Sequence, residues 1–213
     1  MPELHALVVG RLETNCYILE SESACIIVDP GDEPERILGF LKDLKIKPTR
    51  IIATHAHFDH VLGVNGIRAK LHVPFLIHRD DLPILESMQG RVHQFTGLIV
   101  PPPPRVDGFL TDGESITVGR ERVKVIHTPG HSPGSISLAG QGYVLTGDAL
   151  FNQSIGRTDL PGGDLDTLTR SITDRLFALD DDTIVYPGHG PETSIGDEKL
   201  ANPFVGRISK RAS

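Results

Sequence analysis

The chain has 213 residues, 38% of them hydrophobic and 23% charged, and its 21 basic against 28 acidic side chains leave a formal net charge of −7. That length is enough to bury a sizeable core, and the composition excludes a disordered or fibrous chain. So acidic a balance argues against nucleic-acid binding, which needs a basic face to neutralise phosphates.

The first thirty residues read as short strands: LHALVV, NCYILE and ACIIVD. The last two flank a Ser-Glu-Ser turn. A register centred on Glu22 sets Cys25 opposite Leu19 and not Cys16, so two free buried thiols are expected and no disulfide. Residues 33–44 place Ile37, Leu38, Leu41 and Leu44 on one helical face, with Pro34 at the start. RIIAT is a buried strand, residues 61–70 a short helix, VPFLIH a strand, and residues 80–89 a helix with an acidic first turn. From Gly90 to Gly113 the chain reads as irregular, with Pro101 to Pro104 forming a stiff connecting segment. Four strands follow: ESITV, RVKVIHT, SISLA and YVLTG. Residues 164–179 form an amphipathic helix with Leu165, Leu168, Ile172, Leu176 and Leu179 at helical spacing. TIVYP is a last strand and GDEKLANP a last short helix. No linker marks a boundary, so residues 1–213 are expected to form one domain, an α/β sandwich with helices on outer faces.

The chain holds ten histidines but only three tyrosines and no tryptophan. Four times an apolar strand runs into a small-residue turn that carries a metal-type ligand. RIIAT leads to His55, His57, Asp59 and His60; VKVIHTPG leads to His131; YVLTG leads to Asp148; TIVYPG leads to His189. Strand ends lie side by side in a sheet, so loops from distant positions can converge there. Imidazole and carboxylate suit zinc, iron and manganese. Four polar side chains within six positions after an apolar strand would be costly to bury without a shared partner. Gly130, Gly147, Gly188 and Gly190 stand beside the ligands and let backbone pass close. His5, His72, His78, His93 and His127 lack a ligand partner at suitable spacing, and His127 is assigned to a supporting or core role.

THAHFDH, TPGHSPGS, TGDALF and YPGHGPETS together resemble the metallo-β-lactamase superfamily, and within it the small glyoxalase II-like hydrolases. IGRTDLPGGD and GDEKLANPF resemble that subgroup too. The resemblance implies a four-layer αββα sandwich with two divalent metal ions, zinc foremost and iron or manganese as alternatives. It implies one ion on His55, His57 and His131 and a second on Asp59, His60 and His189, with Asp148 bridging both. The implied chemistry is attack of a metal-bridging hydroxide on a thioester such as S-lactoylglutathione, with Asp59 orienting the nucleophile and Asp148 also catalytic. No Ser or Cys nucleophile is required, in keeping with the absence of a G-x-S-x-G turn.

Departures from the long glyoxalase II enzymes are visible. They carry a C-terminal helical domain, which is not expected within these 213 residues. They carry a Lys and a Tyr after GDALF where this chain has IGRTD, and a Tyr after the last ligand histidine where it has Gly190-Pro191. Arg157 is the candidate to grip a substrate carboxylate; the alternative is an ion pair with Asp159 or Asp164. The expected partner is therefore a small thioester, glutathione-derived or not, with no nucleic acid. The longest apolar runs, Cys25 to Val28 and Val73 to Ile77, are too short for a bilayer, and MPELHALVVG lacks the pattern of a secretory signal, so a cytoplasmic location is expected. The competing reading is a persulfide dioxygenase, whose family shares a GRTD-like segment and holds one iron on the residues matching His55, His131 and Asp148.

Overall fold

The computed structural model describes residues 2–207, and these divide into two compact units. The first comprises the chain up to Leu110 together with Thr117–Arg122; the second comprises Thr111–Ile116 and the chain from Val123 onward.

In the first unit, β1 (Glu3–Val9), β2 (Thr14–Ser21), β3 (Ala24–Val28), β4 (Lys47–Ile52), β5 (Phe75–His78) and β6 (Gly108–Leu110) form one sheet in that order. The pairs β1–β2 and β2–β3 are antiparallel, and β3 to β6 run parallel. Parallel neighbours need crossovers, which α1 (Pro34–Leu44) supplies between β3 and β4 and the pair α2 (Phe58–Val61) and α3 (Val64–Arg68) between β4 and β5. The core is built on Ile18, Ile27, Ile51, Phe75 and Ile77 from the sheet and Ile37, Val61 and Ile67 from the helices, each fully buried. Gly31, just after β3, is required by space: a Cβ there would collide with the Asp59 carbonyl oxygen, so the β3–α1 turn and α2 can approach only without a side chain.

The β2–β3 register corrects the expected one by a residue. The turn is the two-residue Glu22-Ser23, with Glu22 in the left-handed region at φ 61, so Cys25 faces Glu20 and Leu19 faces Ile26. Both cysteines are free and buried, as expected. Burial pushes the Cys25 thiol up to about 12 and raises that of Cys16 further.

The stretch expected to be irregular is partly ordered. A 3-10 turn at Arg79–Asp81 leads into α4 (Leu82–Glu86) and α5 (Met88–Thr96), and α5 runs through Gly90 to Gly97, which caps it at φ 72. The three-residue β6 then pairs with β5.

The second sheet runs β14 (Thr193–Ser194), β13 (Ile184–Pro187), β10 (Tyr143–Gly147), β9 (Ile136–Gly140), β8 (Glu121–His127), β7 (Ser115–Val118). Between β10 and β13 come a hairpin of β11 (Leu150–Phe151) and β12 (Ser154–Ile155), which no pattern in the sequence announced, and α6 (Leu165–Arg170). The Asp164 side chain caps α6 by accepting from Thr167 N–H at 2.8 Å. The helix continues through residues 171–176 with one wider turn, and Phe177 N–H donates to Ile172 C=O. Leu168, Ile172 and Leu176 are fully buried against Val144, Val185 and Ile195, the last from α7 (Ile195–Ala201), whereas Leu165 is 53% exposed and stands outside the expected apolar face. Among the described residues no helix is long and apolar enough to cross a membrane.

Candidate metal centre

In the first unit, β4 ends on the buried Ile51 and Ile52 and releases the chain into a loop that presents His55 and His57 and then enters α2 with Asp59 and His60. His55 and His60 are 1% and 0% exposed. The rings of His55 and His57 meet edge to face at 4.8 Å between centroids, and those of His55 and His60 lie 4.1 Å apart. His60 Nε2 is 3.6 Å from Asp59 Oδ2, and Thr14 Oγ1 donates to that same oxygen at 3.4 Å.

Two buried carboxylates that the sequence reading passed over hold this loop. Asp29, 1% exposed at the end of β3, accepts from Thr54 N–H at 2.6 Å and from Thr54 Oγ1 at 2.7 Å. Its Oδ2 also lies 3.0 Å from His60 Nδ1. The Thr54 hydroxyl proton is thus committed to Asp29, so at 3.2 Å from His55 Nδ1 the hydroxyl oxygen accepts and the ring nitrogen donates. His55 is held by Nδ1 through Thr54, which leaves its Nε2 as the lone-pair nitrogen, and the Asp29 carboxylate stands beside His60 Nδ1. Asp81 Oδ2 accepts at 2.7 Å from the N–H of Ala56, the one residue between His55 and His57.

In the second unit, β10 and β13 run parallel with Gly147 opposite Pro187, and Gly188 N–H donates to Gly147 C=O at 2.8 Å. Asp148 and His189 therefore leave neighbouring strands at the same end, as strand ends in one sheet should. His131 comes from the loop after β8, where His127, through its ring, bonds Pro133 C=O at 2.9 Å and steadies the turn. His131 Nε2 and His189 Nε2 are each 3.6 Å from Asp148 Oδ2. His131 Nδ1 donates to the Arg157 carbonyl at 2.8 Å, which again turns Nε2 toward the carboxylate.

The Arg157 guanidinium makes a bidentate pair with Asp159, Nε to Oδ1 and Nη2 to Oδ2, both at 2.7 Å. This pair is exposed and holds the Asp159 carboxyl down at about 2. His5, read as lacking a partner, lies 3.3 Å from Glu20 across the β1–β2 ladder and packs edge-on against Phe40.

These donors fit divalent ions. A separation of 3.6 Å exceeds an ordinary hydrogen bond and matches the edge of a tetrahedron whose metal–ligand bonds are near 2.1 Å, about 3.4 Å. The set is imidazole and carboxylate with no thiolate, which suits zinc, iron and manganese over softer ions.

Residues 9–189 match the sequence profile of the Metallo-beta-lactamase superfamily. A "Probable metallo-hydrolase YqgX" of Bacillus subtilis is 38% identical over 205 residues, covering 94% of this chain and 96% of that protein. The "Hydroxyacylglutathione hydrolase GloC" of Haemophilus influenzae is 35% identical over 207 residues, covering 92% and 95%. Among solved structures, BLEG-1 B3 metallo-beta-lactamase has a TM-score of 0.89 at 39% identity, covering 95% of this chain and 99% of that one. TTHA1623 in a di-iron-bound form gives 0.86 at 39%, covering 94% and 99%. ETHE1 from Myxococcus xanthus gives 0.80 at 28%, covering 95% and 84%. Two large sheets in a mixed α/β chain with these neighbours bear out the fold class read from the sequence. By profile, relatives and fold alike, the chain belongs to the metallo-β-lactamase superfamily.

Proposed function

We propose that this protein is a cytoplasmic metal-dependent hydrolase of small thioesters, with S-lactoylglutathione as the type substrate. In this reading His55, His57 and His131 hold one divalent ion, Asp59, His60 and His189 hold a second, and Asp148 serves both. Zinc is the ion proposed, and iron or manganese suit the same donors. The observation that carries the reading is Asp148, whose one carboxylate oxygen is faced by the Nε2 atoms of two histidines at an equal 3.6 Å. The 35% identity to GloC over 92% of this chain supports the substrate class.

When bound, the two ions supply an activated water near neutral pH and neutralise charge that develops on a carbonyl oxygen. The remaining work falls to the chain. Asp59, its carboxylate steadied by Thr14, orients the attacking water toward the thioester carbon. Thr54, held by Asp29, and the Arg157 carbonyl fix the tautomers of His55 and His131, so that neither ring must reorganise during the reaction. Arg157 binds an anionic substrate: its pair with Asp159 uses Nε and Nη2 and leaves Nη1 for a substrate carboxylate. Arg157→Ala is expected to raise KM for an anionic thioester roughly 10-fold with metal content intact; unchanged kinetics would remove Arg157 from the site.

The deciding experiment is metal content by mass spectrometry on protein purified without chelators, followed by thiol release from S-lactoylglutathione. Two ions per chain with thiol release are expected. A second reading, persulfide oxidation, is favoured by the likeness to ETHE1 together with the IGRTD segment. One iron per chain with oxygen uptake on glutathione persulfide would replace the first reading by this one. Nitrocefin belongs in the same assay because of the likeness to BLEG-1, and its turnover without thioester cleavage would overturn the proposal.

A further inference from the structure

The segment GDEKLANPF contributes no residue to the ligand set, yet it holds the most completely bonded buried carboxylate of the second unit. Glu198, on α7, is 0% exposed. A carboxylate is almost never so buried unless every lone pair is used. Its two oxygens each lie 3.1 Å from the Gln153 N–H, and it also accepts from Thr193 Oγ1 at 2.8 Å and Asn202 Nδ2 at 2.6 Å. Asn202, fully buried, donates through the same nitrogen to Ser154 C=O at 3.1 Å. Gln153 and Ser154 make the turn of the β11–β12 hairpin, and Gln153 is held in the left-handed region at φ 58, where a side-chain-bearing residue is disfavoured.

One end of that hairpin adjoins a candidate ligand, and the other leads to the carbonyl that holds a second one. β11 starts two residues after Asp148, and β12 ends two residues before Arg157, whose carbonyl orients His131. At the hairpin's base Gly156 N–H donates to Ala149 C=O at 3.3 Å, and a Cβ on Gly156 would collide with the Asp148 carbonyl oxygen. A shift of the turn therefore has little slack to dissipate in before it reaches Asp148 and the Arg157 carbonyl. Simple packing would fill this place with apolar side chains at less cost than a buried charge.

We propose that Glu198 and Asn202 are positioning residues for the metal centre: by fixing the β11–β12 turn, they set Asp148 against the Arg157 carbonyl and so against His131. This rests on the metal reading given above. The test is the visible absorption of the cobalt(II)-loaded full chain, which reports ligand geometry independently of turnover. Glu198→Gln puts an NH2 group among three donors, so its cobalt bands are expected to shift and weaken, with cobalt affinity lower by about 10–100-fold. Thr193→Val deletes one donor to Glu198 and is expected to shift the bands the same way by less. Ile195→Val, buried in the same core without a hydrogen bond to the hairpin, is expected to lower the melting temperature and leave the spectrum alone. A wild-type spectrum in Glu198→Gln overturns the proposal, as does an equal shift in Ile195→Val. Should Glu198→Gln fail to fold, an unchanged spectrum in Thr193→Val overturns it. A wild-type chain that binds no cobalt overturns the metal reading and this inference with it.

Discussion

If the proposed two-ion thioester hydrolase is right, Asp148→Asn is expected to lower hydrolysis by roughly 10³-fold or more and to bring metal content from two ions per chain to one or fewer. The substitution keeps the side chain's shape. It removes a negative charge that two imidazoles face at 3.6 Å, and it replaces one of the two oxygens with an amide nitrogen that has no lone pair to offer. The amide oxygen can still be turned toward both rings, but it carries no net charge and leaves an NH2 group where the second carboxylate oxygen stood. Metal analysis and steady-state kinetics on the same preparation separate the two effects. Hydrolysis at the original rate with two ions bound would sink the role proposed for Asp148.

The second large effect is expected from Asp29→Ala, a residue that touches no substrate. Its removal strands the Thr54 N–H in the interior, worth about 1–3 kcal/mol of stability. It also releases the Thr54 hydroxyl that faces His55 Nδ1 and removes the carboxylate 3.0 Å from His60 Nδ1. Metal affinity should fall roughly 10–100-fold, read by competition with a chromophoric chelator. Asp29→Asn keeps one oxygen for the Thr54 amide and should lie between. Calorimetry of the metal-free proteins gives the stability term separately, since the chain has no tryptophan to follow. A variant that melts lower yet binds metal as tightly as wild type would reduce Asp29 to scaffolding.

What the sequence made legible was what repeats or alternates. The long helical face of α1 and the alternating strands stand close to where their patterns put them. The misses have local causes. α5 carries a glycine and a weak apolar stripe, and β6, β11, β12 and β14 are two or three residues long, too short for any period to register. The slipped β2–β3 register came from a left-handed Glu22, a conformation that Gly or Asn would have advertised and Glu does not. In the site, potential ligands were found because imidazoles crowded after apolar strands are expensive without a partner. Asp29 escaped because VDPGD reads as turn chemistry, Asp81 because DDLP reads as the start of a helix, and Glu198 because GDEKL reads as a solvated face. Each acts by a hydrogen bond to a backbone or side-chain group far off in sequence or in another element, and spacing alone does not encode it.

The two buried thiols set the terms on which this protein meets oxidants and other sulfur compounds. Burial holds the Cys25 thiol up at about 12 and Cys16 higher, so both stay protonated near neutral pH. Neither is therefore open to mixed disulfides with a thiol product or to peroxide. The folded chain should survive handling in air without reductant, and cadmium or copper(I) will find no thiolate to anchor on.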